Sequence, residues 1–594
     1  MVRFPAREVK VGSRPLGGRN PIRLQSMTNT DTRDVKKTVA QTIKIFEAGA
    51  DYVRISVPDK ESAGTLPMIR EELHLSGFTN PLIADIHFKP ELALSAARIF
   101  EAVRINPGNY TVAPRKGQKT WTDIEFKQAA EEIHKNVAPL LAVCREYGTV
   151  VRIGTNFGSL SSRIVWRYGN TPEAMVESTM EFLKAFEELG FYDTVISLKA
   201  SNPLIMIRSY LLMVERMIQE GMAYPLHVGV TEAGEGEDGR IKSALGISTL
   251  LQAGIGDTIR VSLSEAPEAE IPVAYKIALP FQSEFTRASM PGESFSLAAF
   301  DWVPEPAVLP GAVKAVVLDH RKESNPDIIV PVDLTKITER TIPGSLYTQP
   351  GRIEAEFPVF TIEELAGNNV KFHNDFNFIF IQQIPSKTFF DQVIQCPNPV
   401  LLCHSQQNDS GLIQEITRQT EAYNLNAAII DCRIFYETDE ELLLVKLAET
   451  FGSNLLQRKI NGIWAVAPNL VNPERITNFC FGLLQAAGLR ITRSEIIACP
   501  TCSRTSFDLV SVVKQVKDAV GQIPGIKIAI MGCVVNGPGE MADADFGILG
   551  SAQGKVHIYH GNRPVLRNID QEMAANELVR LIERTIYAPK IKNI

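Results

Sequence analysis

The sequence predicts an α/β protein whose N-terminal half is a (β/α)8 TIM barrel. Eight short β-branched runs, each ending in polar residues, recur over the first 280 residues. Amphipathic stretches of helical length, such as 34–48, 172–189 and 203–220, lie between them. Alternation of strands and helices on this scale indicates a parallel barrel. No Gly-x-Gly-x-x-Gly turn follows the first run, which disfavours an open doubly wound sheet.

The runs fall at 21–28, 51–58, 81–88, 102–109, 150–156, 193–201, 225–234 and 257–264. Alternate side chains on a strand face opposite ways. Val53 and Ile55 therefore oppose Arg54, Val103 and Ile105 oppose Arg104, and Val151 and Ile153 oppose Arg152 and Asn156. Ile196 and Leu198 oppose Lys199, and Ile259 and Val261 oppose Arg260 and Ser262. Asp85 shares the inward parity with His87, and His227 shares it with Thr231.

Five strands thus aim a cation at the axis near the C-terminal mouth: Arg54, Arg104, Arg152, Lys199 and Arg260. The acids evident nearby are Asp85 and Glu232. Unpaired buried charge is costly, so the surplus calls for an anionic partner. Guanidinium forks match phosphate oxygens, and a phosphate or diphosphate is the natural ligand. Asn156, Thr231 and Ser262 would add neutral donors, and His87 a further contact. Glu232 stands at the mouth beside Gly234 and Gly236, where it could donate a proton if substrate oxyanions raise its pKa.

The middle segment reads differently. Residues 285–310 are rich in Pro and Gly, as in a linker. Strand-like runs follow at 312–319, 327–332, 376–383, 399–405, 426–432 and 463–468, with helical patterns at 409–423, 438–456 and 473–488. The pattern predicts a second α/β domain or a degenerate second barrel, without a row of strand-end cations. A structural or spacing role is expected. The expected domains are 1–284, 285–490 and 491–594.

The last hundred residues form an α+β domain with the sharpest motif. Cys499 and Cys502 have C-x-x-C spacing, Cys533 ends a β-branched run, and Glu540 follows seven residues later beyond a Gly-Pro-Gly loop. Three readings fit this spacing. A structural zinc site would want a fourth closed ligand. A thiol redox pair needs only the first two cysteines. An iron–sulfur cluster could take three thiolates and a carboxylate such as Glu540, leaving one iron open to a substrate oxygen. The other five cysteines (Cys144, Cys396, Cys403, Cys432, Cys480) sit mostly among apolar residues and read as buried reduced thiols of a cytoplasmic protein.

Composition sets the outer limits. The chain has 594 residues, 45% hydrophobic and 22% charged, with a net charge of -7. Those values fit a soluble globular protein and argue against general nucleic-acid binding. No run of 18 apolar residues could span a membrane. The basic N-terminus lacks the apolar core of a signal peptide, and the first strand starts too early for a long transit peptide.

The strings QSMTNTDTRD (25–34), DYVRISVP, ADIHF (84–88), VRINPGN (103–109), VRIGTN (151–156), HVGVTEAG (227–234), RVSLS, ACPTC and MGCVVNGPGE together resemble the 4-hydroxy-3-methylbut-2-enyl diphosphate synthases. These are iron–sulfur enzymes of the methylerythritol phosphate route to isoprenoids. The resemblance covers 1–280 and 491–594, and the segment between makes the chain similar to the family's long form, in which the insertion is regarded as structural. It implies reductive opening of 2-C-methyl-erythritol 2,4-cyclodiphosphate, with ferredoxin or flavodoxin as electron donor. It implies a [4Fe-4S] cluster on Cys499, Cys502, Cys533 and Glu540, an acid at Glu232, and diphosphate contacts from Arg54, His87, Arg104, Arg152, Asn156, Lys199, Thr231, Arg260 and Ser262. In two-domain relatives the cluster domain of one chain caps the barrel of the other; here a functional unit within one chain is expected. The competing expectation is a phosphate-binding barrel with a zinc-stabilised C-terminal domain and no redox activity.

Overall fold

A computed structural model describes residues 2–86, 89–110, 120–286, 359–366, 370–372, 377–405, 411–467, 469–470, 474–489, 491–499, 505–534, 537–541 and 544–586. The chain divides into two compact units. One joins Met1–Ala299 to Thr492–Ile594, and the other is Phe300–Ile491.

All eight barrel strands form where the sequence places them. They are β3 (Arg23–Met27), β4 (Tyr52–Ser56), β5 (Leu82–Asp85), β6 (Ala102–Ile105), β7 (Val150–Asn156), β8 (Thr194–Lys199), β9 (His227–Val228) and β10 (Thr258–Ile259). The parallel order runs β8-β7-β6-β5-β4-β3-β10-β9, and a bridge from Ile196 to Leu226 closes the ring. Helix starts follow local chemistry. Asp34 and Asp59 accept hydrogen bonds from Lys37 N and Ser62 N, and Thr122 with Glu125 makes a capping box. Pro172 and Pro203 open their helices at the position where a missing N–H costs least.

An element absent from the sequence reading closes the other end of the barrel. A hairpin, β1 (Val9–Val11) with β2 (Arg14–Leu16), packs Val9, Val11 and Leu16 against Tyr52, Ile83, Ala102, Val150 and Val195. Those partners are the first inward residues of five successive strands. Two positions later the same parity carries Arg54, Asp85, Arg104 and Arg152. The barrel interior therefore passes from an apolar floor to a charged layer within two residues.

The second unit contains a five-stranded parallel sheet in sequential order: β11 (Val359–Thr361), β12 (Asn377–Ile381), β13 (Pro399–His404), β14 (Ala428–Ile434) and β15 (Gly462–Val466). The runs expected at 312–319 and 327–332 lie outside the described residues.

The C-terminal segment is α+β. Its sheet orders β16 (Glu495–Ala498), β17 (Lys527–Met531), β18 (Phe546–Ala552), β19 (Lys555–His560) and β20 (Arg563–Asp570). The first three pair in parallel and the last two antiparallel. Helices Leu509–Val520 and Gln571–Ile586 supply Val512, Val516, Leu578 and Ile582 to its core.

Candidate active site

The inward parity brings the expected cations together. Arg104 lies 3.3 Å from Asp85 and donates to the Gly154 carbonyl at 2.6 Å and to Asn156 Oδ1 at 3.2 Å. Glycine is required at 154, because a Cβ there would fall 2.1 Å from Arg104 Nε. Arg54 lies 3.9 Å from the other Asp85 oxygen and donates to the Met27 sulfur at 3.0 and 3.2 Å. Arg152, on β7, donates to Oε1 of Gln25, on β3 across the barrel. Lys199 is buried, and its Nζ has no hydrogen-bond partner among the described residues.

One correction concerns the acids. Besides Asp85 and Glu232, a third carboxylate serves the cluster: Glu270 binds Arg260 through both oxygens, at 3.1 and 3.2 Å. The segment after the eighth strand holds Glu265, Glu268 and Glu270. Glu265 is spent on Arg240, and the intervening turn Pro267–Ala269 decides which glutamate turns inward. No signal in the sequence separates the three. Gln25 and Met27 were missed similarly. They face inward on β3, level with Tyr52 and Arg54, but as neutral side chains they carry no charge signal.

Electrostatics record a site short of negative charge. Burial lowers the Arg54 pKa to about 9, with Asp85 opposing and Arg260, Arg104 and Arg152 adding to the shift. Burial lowers Arg152 to about 10. Lys199 is driven well below the ordinary lysine range by burial first, then by Arg260, Arg54 and Arg152. His227, on the same layer, is pushed well down by burial and the same cations. The arginines keep their charge at neutral pH.

The C-terminal domain rests on this mouth. Ala233 bridges Ala498 in parallel, and Ser264 Oγ donates to the Cys499 carbonyl at 3.5 Å. Across the mouth, the turn Gly537–Glu540 meets the turn Phe157–Ser159 that follows Asn156. A Cβ on Gly539 would lie 1.6 Å from the Gly158 carbonyl oxygen, so the backbones touch. Lys242 pairs with Glu495 at 2.8 Å, and Arg493 pairs with Asp238. Glu232 lies at this junction, buried, with a left-handed φ of 49°. Such strain in a non-glycine residue persists only where surroundings enforce it and gathers at functional sites. Thr231, its neighbour in sequence, and Ser262, just past the eighth strand, are also buried, and no hydrogen bond to Ser262 Oγ forms among the described residues.

Two of the expected thiols come together here. Ala498 pairs with Ile530, so Cys499 and Cys533 leave the same end of adjacent parallel strands. The Gly532 N–H donates to Cys499 Sγ at 3.1 Å. Both thiols are partly exposed. A backbone donor on sulfur and access from the mouth suit a thiolate that binds metal. By contrast the five scattered cysteines are buried, and burial raises Cys144, Cys396 and Cys480 to about 12. His87 and Cys502 lie outside the described residues, as does the side chain of Glu540, the last residue of its turn.

A (β/α)8 barrel with a cationic mouth, covered by a domain that brings cysteines to that mouth, defines a class: a TIM-barrel protein built to take an anionic ligand beneath a cysteine-bearing domain. Comparison with known proteins supplies the family. The GcpE TIM-barrel domain matches residues 6–275, and the GcpE protein C-terminal domain matches 495–584. The 4-hydroxy-3-methylbut-2-en-1-yl diphosphate synthase (flavodoxin) of Phocaeicola vulgatus is 39% identical, covering 97% of each chain. That of Parabacteroides distasonis is 40% identical over the same shares. The ferredoxin-dependent chloroplastic enzyme of Oryza sativa is 35% identical, over 98% of this chain and 87% of its own. The chain belongs to the 4-hydroxy-3-methylbut-2-en-1-yl diphosphate synthase family.

Proposed function

We propose that this chain reduces 2-C-methyl-erythritol 2,4-cyclodiphosphate, with two electrons and loss of water, to 4-hydroxy-3-methylbut-2-enyl diphosphate. The observation that carries the reading is the charge balance of the mouth. Five cations from five strands meet three buried acids, Asp85, Glu270 and Glu232. A cyclodiphosphate supplies the missing negative charge.

Arg54, Arg104, Arg152, Lys199 and Arg260 hold the diphosphate, with Asn156, Thr231, Ser262 and His87 as neutral or partial partners. Cys499, Cys502, Cys533 and Glu540 would hold a [4Fe-4S] cluster, and the partly exposed pair Cys499 and Cys533 fits that use. When bound, the cluster supplies single electrons received from a flavodoxin or ferredoxin. Glu232, buried where the barrel meets the C-terminal domain, would give the departing hydroxyl its proton. Lys199 and its layer are buried from bulk water, which strengthens every charge interaction within it.

The domain division at 284/285 and 490/491, with a structural central domain, belongs to this reading. So do a cytoplasmic location and a functional unit within one chain. No helix among the described residues is long and apolar enough to cross a membrane. The alternative of a redox-inactive phosphate-binding barrel with a zinc domain finds no support in the relatives. The decisive assay is turnover of the cyclodiphosphate by anaerobically purified protein with an artificial reductant. A colourless, zinc-containing, inactive protein would overturn the reading. The one-chain unit is tested by mixing Arg152→Met with Cys533→Ala. The mixture should stay inactive, and recovered activity would show capping between chains.

A further inference from the structure

Glu270 opens the helix Glu270–Thr286, on the segment that follows the eighth barrel strand. It is 1% exposed, and its carboxylate is fully engaged. Oε1 accepts from Arg260 Nη2 at 3.1 Å and from the Leu263 N–H at 3.2 Å. Oε2 accepts from Arg260 Nε at 3.2 Å and from Ser26 Oγ at 2.6 Å. The carboxylate thus ties the first barrel strand, the eighth strand and the loop beyond it to one guanidinium.

This pairing uses one edge of Arg260 and spares the other. Nη1 is not held by the carboxylate; among the described residues it meets the Met27 sulfur at 3.8 Å. A thioether is a weak acceptor that yields readily to an anion. The same sulfur takes hydrogen bonds from Arg54, so Arg54 and Arg260 converge on one soft, neutral atom. Without Glu270, Arg260 would be a buried guanidinium beside Arg54 and Lys199 with no fixed rotamer, and like-charge repulsion would turn it away.

We infer that Glu270 is a positioning residue for substrate binding: by clamping Nε and Nη2 of Arg260, it leaves Nη1, next to Arg54, as the donor that the diphosphate takes over from Met27. The inference rests on the reading that Arg260 binds the diphosphate. It also explains why a site built for an anion tolerates a carboxylate. Glu270 neutralises one edge of one cation, Asp85 is shared by Arg54 and Arg104, and the mouth keeps a surplus of positive charge.

The test is steady-state kinetics of the cluster-loaded full chain carrying Glu270→Gln, Glu270→Asp, Arg260→Met and the double substitution Glu270→Gln/Arg260→Met. Glu270→Gln keeps the shape, loses the charge, and should raise KM about ten- to hundredfold while lowering kcat far less. Glu270→Asp keeps the charge but withdraws it by one methylene, and should fall between wild type and Glu270→Gln. Because Glu270 acts through Arg260, the double variant should be no worse than Arg260→Met alone. Effects that multiply in the double variant, or a wild-type KM in Glu270→Gln beside an impaired Arg260→Met, would overturn the inference and leave the diphosphate reading intact. A wild-type KM in Arg260→Met would overturn that reading itself. Should Glu270→Gln not fold, Glu270→Asp decides: a raised KM at an unchanged unfolding midpoint supports the positioning role, and an unchanged KM overturns it.

Discussion

The barrel and the central sheet are both built of parallel strands, yet they handle buried charge in opposite ways. On β14 of the central sheet, Asp431 and Arg433 lie two residues apart and pair at 2.7 Å, both buried. The cation has its anion on its own strand, and the Ser405 carbonyl takes another of its donors at 3.3 Å. At the barrel mouth each cation stands on a different strand, and Lys199 is left to the company of other cations. A closed pair gives a local geometry and calls for no ligand. An open surplus is stable only as the waiting half of a complex. The cysteines divide along the same line. Cys403 and Cys432 in the central sheet are held protonated by burial, whereas Cys499 and Cys533 sit at an accessible strand end with a backbone donor.

This contrast can be broken at several points. The largest effect is expected at the thiols. Cys499→Ala or Cys533→Ala should abolish cluster assembly and turnover, while Cys432→Ala should leave iron content and rate near wild type. Iron content and visible absorbance of anaerobically purified variants check both. Glu540→Cys sharpens the same point. It should assemble a robust cluster yet lose turnover, because oxygen ligands exchange more readily than sulfur. Near-normal turnover in that variant would reduce the centre to an electron relay.

Next in size is the closed pair. Asp431→Ala strands a buried guanidinium and should cost about 3–5 kcal/mol of stability in the central domain. Chemical unfolding should register that loss, and KM for the cyclodiphosphate should not change. A raised KM would show that the central domain takes part in binding.

The smallest effect carries the most characteristic sign. Lys199 has a folded pKa lowered by burial and neighbouring cations. The unfolded chain therefore binds the proton more tightly than the native one. Stability contributed by this site rises with pH, through the window between the lowered folded value and the ordinary lysine value near ~10.4. Lys199→Met should raise the melting temperature of the substrate-free protein by about 2–4 °C at neutral pH, roughly 1 kcal/mol. The gain should fade as pH approaches the ordinary lysine range. A lowered melting temperature at pH 7 would mean that Lys199 is a satisfied structural residue.

Much of the barrel was legible because its strands alternate strictly. Once Val53, Ile55, Val103 and Ile105 are set against the helices, Arg54 and Arg104 have nowhere to go but the axis. The floor hairpin was not legible, since three-residue strands such as Val9–Val11 carry too little pattern to distinguish from an extended tail. Glu270 was hidden by its neighbours, because three glutamates within six residues look alike until a short turn selects one. The seat of the C-terminal domain on its own barrel was equally out of reach. It depends on Gly539 meeting Gly158 and on Ala233 meeting Ala498, contacts between small residues hundreds of positions apart.

The central claim is that the unpaired charge of the barrel mouth reads the diphosphate. Calorimetric titration of the oxidised, cluster-loaded protein tests it most directly, with 2-C-methyl-erythritol 2,4-cyclodiphosphate and with a phosphate-free analogue as ligands. Arg152→Met should weaken the cyclodiphosphate by about 1.5–3 kcal/mol, the worth of a charge-assisted contact, and should leave the analogue's weak binding unchanged. Equal loss for both ligands would contradict the account, because Arg152 would then be shaping the barrel rather than meeting the phosphates.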